Sequence, residues 1–511
     1  MAYLLGIVAK LKDVMKNDGI RGKGPLLVIA AGAVVAGVTM TKLVINKLQA
    51  KSTTLPGPSM LSLLPLLFKS AEDKVAFILD CAEKYGDVFC LRTLTGKIIV
   101  VSNPKVYRNI LKNRINTYSR TDFPPLLDLP NYGLAEGSEF SRLKRLTAWP
   151  LSERHVNAFL PLISKAINDM IGDIERRQLL DGYVEWNITS ELPFLTFKMA
   201  SIITLGGDKD TFTDDPFFNP ELQETIVRFV RDTFHKQTSR FNFMYEDRLI
   251  WKVLFPETRR FHRQWNELRS LMEETLQRRL RYLEKNPSAT TGVLGTAPNL
   301  TKDELLGVMH MYLAAGGDTI SITATKTLEN ICSKPQIKER IKAEVADLGK
   351  EPETYEDILN LPYIEACMLE SLRLRAPGPV LPIFALRDCE LCGQHLRAGT
   401  RIIGCFQKVL IDDYENGSLF EPERWLNEDG KSVDRKKVRE FVGFGYGPRQ
   451  CPGQYFATRV IVMLIANIFR RLDDIKIKDD MTSLGPKFVS PVVLQPPEVT
   501  LCLKPKHTSG K

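Results

Sequence analysis

The stretch Phe441 to Ala457, FVGFGYGPRQCPGQYFA, restricts what this chain can fold into more than any other. Gly445, Gly447 and Gly453 permit backbone conformations and close approaches that a Cβ would resist. Pro452 suits the first turn of a helix, and the apolar-rich run Tyr455 to Leu472 continues it. Cys451 then stands at a helix N-terminus, where the dipole favours an anion. Amide N–H groups uncovered by the glycines can approach its sulfur, and Arg449, two residues earlier, can reach a carboxylate. A thiolate kept for chemistry needs a depressed pKa and shielding from oxidation, so the rest of the chain has to be organised around this loop.

Phe444, Gly447, Arg449, Cys451 and Gly453 fit the pattern FxxGxRxCxG, which resembles the haem-ligand loop of the cytochrome P450 family. The resemblance implies that Cys451 is the thiolate on the iron of haem b, where its push of electron density favours O–O cleavage. Phe444, Arg449 and Gly453 would contact the cofactor, Arg449 through a propionate. The fold implied is mainly α with small β-sheets, a single large helical domain preceded by an N-terminal membrane anchor.

A second stretch, Leu300 to Thr327, begins with a capping box at Thr301 and Glu304 and runs on as a long helix. Ala315, Gly316, Gly317, Asp318 and Thr319 lie in its middle, although a glycine inside a helix costs about 1 kcal/mol relative to alanine. The segment is similar to the family's oxygen-binding helix, AGxDT. On that resemblance small Ala315 and Gly316 let the helix pass close over a flat cofactor. The Thr319 hydroxyl bonds the carbonyl one turn back and opens a polar notch. Thr319 and Asp318 are then the catalytic pair, one hydrogen-bonding the oxygen being activated and the other relaying protons from solvent.

In Thr354 to Pro377, Glu370 and Arg373 are spaced to share a helix face, and Leu369, Leu372 and Leu374 around them point to burial and further partners. They match the family's ExxR, whose third member comes from PERF; here that segment is Pro422-Glu423-Arg424-Trp425. Glu370, Arg373 and Arg424 are expected to form a supporting charge network behind the haem loop. Arg397 to Ile403, RAGTRII, reads as a turn and strand, and Asp87 to Val101 as short β pieces around Thr95-Gly96.

Ser138 to Ser152 aligns with the family helix carrying WxxxR, whose aromatic and cation contact a haem propionate. Phe140 and Lys144 stand at those positions, which assigns Lys144 to the cofactor. The departure matters, because Phe has no indole N–H and Lys lacks the guanidinium fork. Arg142 or Arg145 can compensate.

Four stretches line a substrate cavity by family analogy: Phe123 to Tyr132, the Met311 and Ala315 face, Pro379 to Ile383, and Ser490 to Val493. Their apolar character implies a lipophilic substrate; fatty acids, steroids, terpenoids and polyketides all fit. His310 does not rank them, since a lone helix histidine is usually packed. The chain has no GxGxxG ahead of a βαβ pattern and no ferredoxin-type cysteine run. Electrons are therefore expected from a separate NADPH-dependent flavoprotein reductase, with cytochrome b5 as a further donor. Arg142, Lys144, Arg145, Lys436, Lys437, Arg439 and Arg459 are expected to form a basic surface that docks it.

At the other end, Pro25 to Ile45 is apolar for about 17 positions before Lys42, near the lower limit for a membrane span. Leu4, Ile7, Val8, Leu11, Val14 and Met15 recur ahead of it at helical spacing among lysines, as in a helix lying on a membrane surface. The expected organisation is a basic amphipathic segment over 1–24, a transmembrane anchor over 25–45, a proline-rich hinge over 46–60 that includes LPGP, and the catalytic domain over 61–511. The membrane expected is that of the endoplasmic reticulum with the catalytic domain cytosolic; a mitochondrial presequence, leading to the inner membrane, is the alternative. A net charge of +9 over 511 residues, with no long basic run, gives no reason to expect nucleic-acid binding. Nine cysteines without a regular framework suit a reducing compartment, and the Cys389/Cys392 pair, lacking a second pair, reads as incidental spacing in preference to a zinc site. The expected activity is insertion of one atom of dioxygen into a lipophilic substrate. Haem-thiolate isomerases or dehydratases and a non-catalytic haem sensor are the competing classes.

Overall fold

The computed structural model describes residues 55–63, 65–68, 71–93, 96–119, 129–133, 135–177, 182–206, 225–229, 252–253, 255–287, 292–478, 487–490, 493–495 and 498–506. The segments 1–24 and 25–45, the hinge up to residue 54, and residues 123–128 and 491–492 of the cavity lining lie outside these. Among the described residues no helix is long and apolar enough to cross a membrane.

The longer helices are α1 (Ala71–Tyr85), α2 (Pro104–Lys112), α3 (Gly137–Thr147), α4 (Leu160–Glu175), α5 (Ile188–Leu205), α6 (Pro256–Lys285), α7 (Lys302–Cys332), α8 (Pro335–Leu348), α9 (Pro362–Leu374) and α10 (Gln454–Arg471). Short strands are interleaved with them: β1 (Val88–Thr93), β2 (Gly96–Val101), β3 (Tyr118–Ser119), β4 (Val184–Asn187), β5 (Leu381–Ala385), β6 (Cys389–Leu391), β7 (Gln394–Leu396), β8 (Arg401–Gly404), β9 (Leu472–Ile477), β10 (Lys487–Ser490), β11 (Val493–Gln495) and β12 (Thr500–Pro505). This is the mainly α architecture with small sheets that the motifs imply.

Two helices organise the interior. α7 opens with the expected capping box: Thr301 Oγ1 accepts from the Glu304 amide at 3.2 Å, and the Glu304 carboxylate accepts from the Thr301 amide at 2.7 Å. α10 is buried on nearly every side from Phe456 to Phe469, the signature of a core helix. α5, α9 and α10 all pack on α7. One large apolar cluster joins α4, α7, α9 and α10; a second lies behind α7 and brings together Phe197 and Ala200 of α5, Phe261 and Trp265 of α6, and Leu306 and Leu313 of α7.

The β1/β2 hairpin pairs Val88 with Val101 through to Thr93 with Gly96. It forms one edge of a five-stranded sheet ordered β1-β2-β8-β5-β3, with β8 parallel to β2. β4, β12 and β9 form a second sheet that seats β12 beside the start of α5, with Trp186 wholly buried. Cys389 begins β6 and Cys392 lies in the turn between β6 and β7, and none of the nine cysteines is in a disulfide.

Candidate active site

The cysteine loop folds back on itself before α10. Gly445 amide donates to the Val442 carbonyl at 2.7 Å and Cys451 amide to the Phe444 carbonyl at 2.8 Å. Gly445 has φ of +77° and Gly447 of +72°. A Cβ on Gly447 would also stand 2.7 Å from the Leu111 carbonyl at the end of α2, so the loop can lie on α2 only as glycine. Pro452 is in the turn ahead of α10 and not in its first helical turn, because Gly453 is the N-cap. Cys451 is exposed while Phe441 and Val442 beside it are buried. A Cβ on Gly453 would come to 3.8 Å from Cys451 Sγ, so glycine leaves that flank of the sulfur clear. Phe444 is half-buried and meets Phe441 edge-on at 6.4 Å.

α3 supplies the neighbouring edge. Lys144 Nζ donates to the Pro448 carbonyl at 2.5 Å and lies 5.6 Å from the Phe140 ring centre; Arg449 Cζ lies 4.1 Å from the same ring. Two cations thus share one aromatic ring beside the cysteine loop. Burial and then the Arg449 charge pull the Lys144 ammonium below its ordinary value, against an opposing pull from Cys451. Arg449 is also lowered, by burial, with Glu136 opposing. Its Nη2 is 2.7 Å from Glu136 Oε2, an acid that sequence reasoning missed because nothing local in the chain links the two. Arg142 does not turn to this edge: it pairs with Glu139 at 2.8 Å and with Glu304 of α7. Arg145 is exposed.

On α7, Thr319 Oγ1 donates to the Ala315 carbonyl at 2.7 Å, the back-bond that the sequence suggested. Ala315 and Thr319 are exposed although the helix around them is largely buried. Tyr312 is on the same face by helical period; its ring meets Tyr132 edge-on, Tyr132 meets Phe140 edge-on, and Arg449 lies over Phe140, so this face is turned toward the cysteine loop. Gly316 is elsewhere. A Cβ there would meet Ala200 Cβ at 3.0 Å, so Gly316 serves the close packing of α5 on α7, not passage over a flat group. Thr196 of α5 exploits that approach by donating to the Gly317 carbonyl at 2.6 Å. Asp318 lines a small cavity with Pro193, Phe197, Val227 and Leu313.

The supporting residues meet behind the loop. Glu370 accepts from Arg373 Nε and Nη2 at 2.9 and 2.8 Å, from Arg424 Nε at 2.9 Å, and from Trp425 Nε1 at 2.9 Å. Trp425 stacks edge-on to Phe441 at 4.7 Å, which connects the network to the cysteine loop. The basic surface is smaller than expected. Arg459 is 3% exposed and donates to the Glu153 carbonyl at 2.8 Å, so burial removes it from any docking face. Arg145, Lys436, Lys437 and Arg439 are exposed.

This donor set fits an iron porphyrin: a sulfur at a loop apex with one flank cleared by glycine, two cations at a single edge for carboxylates, and a small-residue helix face turned toward the sulfur. A mainly helical body that holds these groups together is that of a haem-thiolate protein. Residues 55–503 match the family model Cytochrome P450, and the chain belongs to that family. Cytochrome P450 71A2 of Solanum melongena is 26% identical over 450 residues, 82% of this chain and 86% of its own. Ent-sandaracopimaradiene 3-hydroxylase of Oryza sativa subsp. japonica is 23% identical over 413 residues, 77% and 79% of the two chains. Cyclooctat-9-en-7-ol 5-monooxygenase of Streptomyces melanosporofaciens is 24% identical over 403 residues, 76% and 82%. Proteins of the family bind haem b through a cysteine thiolate, and this chain is a haem-thiolate monooxygenase.

Proposed function

We propose that this chain is a membrane-anchored enzyme that inserts one atom of dioxygen into a lipophilic substrate, a steroid, fatty acid, terpenoid or similar. Its electrons come from a separate NADPH-dependent flavoprotein reductase. Cys451 holds the iron, Lys144 and Arg449 face the haem carboxylates, Phe444 and Gly453 flank the ligand, and Glu370, Arg373 and Arg424 brace the loop. Haem b bound there supplies one-electron and dioxygen chemistry.

The observation that carries the reading is the bond from Thr319 Oγ1 to the Ala315 carbonyl on the exposed face of α7. It parks the hydroxyl proton one turn back and leaves the oxygen's lone pairs free to accept. To donate instead, the hydroxyl need only rotate and give up one hydrogen bond, worth ~1 kcal/mol net. Asp318, the next residue back, is the group assigned to relay that proton from solvent. Isomerases and dehydratases need no such relay, and neither does a sensor, which favours the monooxygenase.

Relatives named for ent-sandaracopimaradiene and cyclooctat-9-en-7-ol support a lipophilic substrate, as does the apolar face of half-buried Met311 and exposed Ala315. Exposed Arg145, Lys436, Lys437 and Arg439 support docking of an acidic reductase. The apolar run 25–45 and its basic flank support anchoring in the endoplasmic reticulum membrane. The test combines purified protein, a flavoprotein reductase, NADPH and a panel of lipophilic compounds. NADPH consumption matched by an oxygenated product is expected; product without NADPH would indicate an isomerase, and haem binding with neither would indicate a sensor.

A further inference from the structure

Arg449 already has a carboxylate of its own. Nη2 lies 2.7 Å from Glu136 Oε2 and also donates to the Ala135 carbonyl, while Nη1 donates to the Tyr132 carbonyl at 3.1 Å. The Phe140 ring covers the guanidinium face, and the side chain is 4% exposed. Of its three nitrogens, Nε is the one left without a partner. The other oxygen of Glu136, Oε1, accepts from the Ser119 hydroxyl. Ser119 ends β3 and Glu136 immediately precedes α3, so one carboxylate joins both ends of the segment 120–135 and fastens them to the cysteine loop.

We infer that Glu136 is a positioning residue that sets how much positive charge this edge offers to the haem carboxylates. This rests on the reading of Cys451 as haem ligand, and charge count decides it. The edge holds two cations, Lys144 and Arg449, and a single compensating carboxylate at hydrogen-bond distance from the more buried of them. A porphyrin carboxylate approaching Arg449 meets a guanidinium whose Nη1 and Nη2 already donate to backbone carbonyls and whose charge is offset by Glu136 beside Nη2, so only Nε is unpartnered and the attraction there is reduced. Lys144 is the other cation, a point charge held by the Pro448 carbonyl and the Phe140 ring and with no carboxylate of the described residues beside it. The Phe and Lys that replace the family's Trp and Arg do not act alone in weakening this edge; Glu136 weakens it further while tying Ser119 to the start of α3.

The inference sets Glu136 against an ordinary structural tie, and the two predict opposite signs. Glu136→Gln keeps the side chain's size and its acceptor for Ser119 but removes the competing charge. Transfer of haem from the ferric protein to excess apomyoglobin is expected to slow by about threefold or more, since a tenfold change corresponds to ~1.4 kcal/mol. Spectroelectrochemistry is expected to show the iron easier to reduce, as an uncompensated cation favours the added electron. Glu136→Asp, which keeps the charge, is expected to behave as the parent. In the Arg449→Gln background, Glu136→Gln is expected to have no further effect, because Glu136 acts through Arg449. Haem lost at the parent rate or faster from Glu136→Gln would overturn the inference, as would equal slowing with and without Arg449. The reduced carbon monoxide spectrum of the same samples separates the two readings. A parent protein without a thiolate-type band refutes the ligand assignment, whereas an intact band with unslowed haem loss refutes only the role of Glu136.

Discussion

Glu370 and Arg373 face each other one turn apart on α9, both side chains fully excluded from solvent, with Nε and Nη2 of the guanidinium on the two carboxylate oxygens at 2.9 and 2.8 Å. A buried pair of this kind stands only if its remaining donors and acceptors are met. Arg373 meets them with the carbonyls of Gly417 at 2.6 Å and Leu419 at 3.0 Å, Glu370 with Arg424, Trp425 and the Glu421 amide. Glu370→Gln leaves two guanidinium groups against a neutral amide. The expected loss is about 3–5 kcal/mol, the range for removing one partner of a buried pair. Urea unfolding and haem incorporation during expression measure it; near-parent values of both would show that the network does not brace the loop.

Cys451 makes a sharper demand. With its backbone amide held by the Phe444 carbonyl, replacement of the side chain should leave the loop's path intact. Cys451→Ala is expected to abolish the thiolate-type Soret band of the reduced carbon monoxide complex while far-UV circular dichroism is unchanged. A thiolate band surviving in this variant would falsify the ligand assignment.

Thr319→Ala removes the hydroxyl from the Ala315 carbonyl without altering a buried surface, because both residues lie on the exposed face of α7. Haem content should be retained. Product formed per NADPH should drop by roughly tenfold, below the full range that positioned proton transfer contributes, because water can stand in for the hydroxyl. Thr319→Ser, which keeps Oγ, should recover most of the coupling. If the Ala variant couples electrons to product as the parent does, Thr319 has no part in proton delivery.

What could be read from the chain was what is local to it. The capping box at Thr301 and Glu304, the back-bond of Thr319 and the shared face of Glu370 and Arg373 each follow from spacings of three or four residues, and each is present in the fold. The cysteine loop was legible for the same reason. Charge alone suggests a surface position for Arg459, whereas its guanidinium is stacked 4.6 Å over Tyr355 and held by a carbonyl. The small residues of α7 are visible in the sequence but not which neighbour needs each; for Gly316 that neighbour is Ala200 and not a flat cofactor. Glu136 and Trp425 were missed as partners because only the tertiary packing brings α3 to the cysteine loop and Trp425 to Glu370.

His310 gives a prediction with a sign that can be checked. It faces the apolar cluster behind α7, with its ring edge-on to Trp265 at 5.6 Å and Nε2 buried without a partner. Burial pushes its imidazole down from the ordinary 6.5 to about 4. Between those two values the unfolded chain takes up a proton and the native chain does not. Stability contributed by the neutral ring is therefore fully present above pH 6.5 and is lost as pH falls toward 4. At pH 5 the loss from this one group is on the order of 2 kcal/mol, from ~1.4 kcal/mol for each pH unit inside the window. Other groups titrate over the same range, so the useful measurement is a difference. Urea midpoints of the haem-loaded parent and of His310→Gln should be compared at pH 7.5 and pH 5. The variant starts less stable, because an amide fits an apolar site poorly, but its decline between the two pH values should be smaller by about 2 kcal/mol. Equal declines in the two proteins would mean that His310 is protonated in the fold at pH 5, which the unpartnered Nε2 and the Trp265 edge beside it argue against.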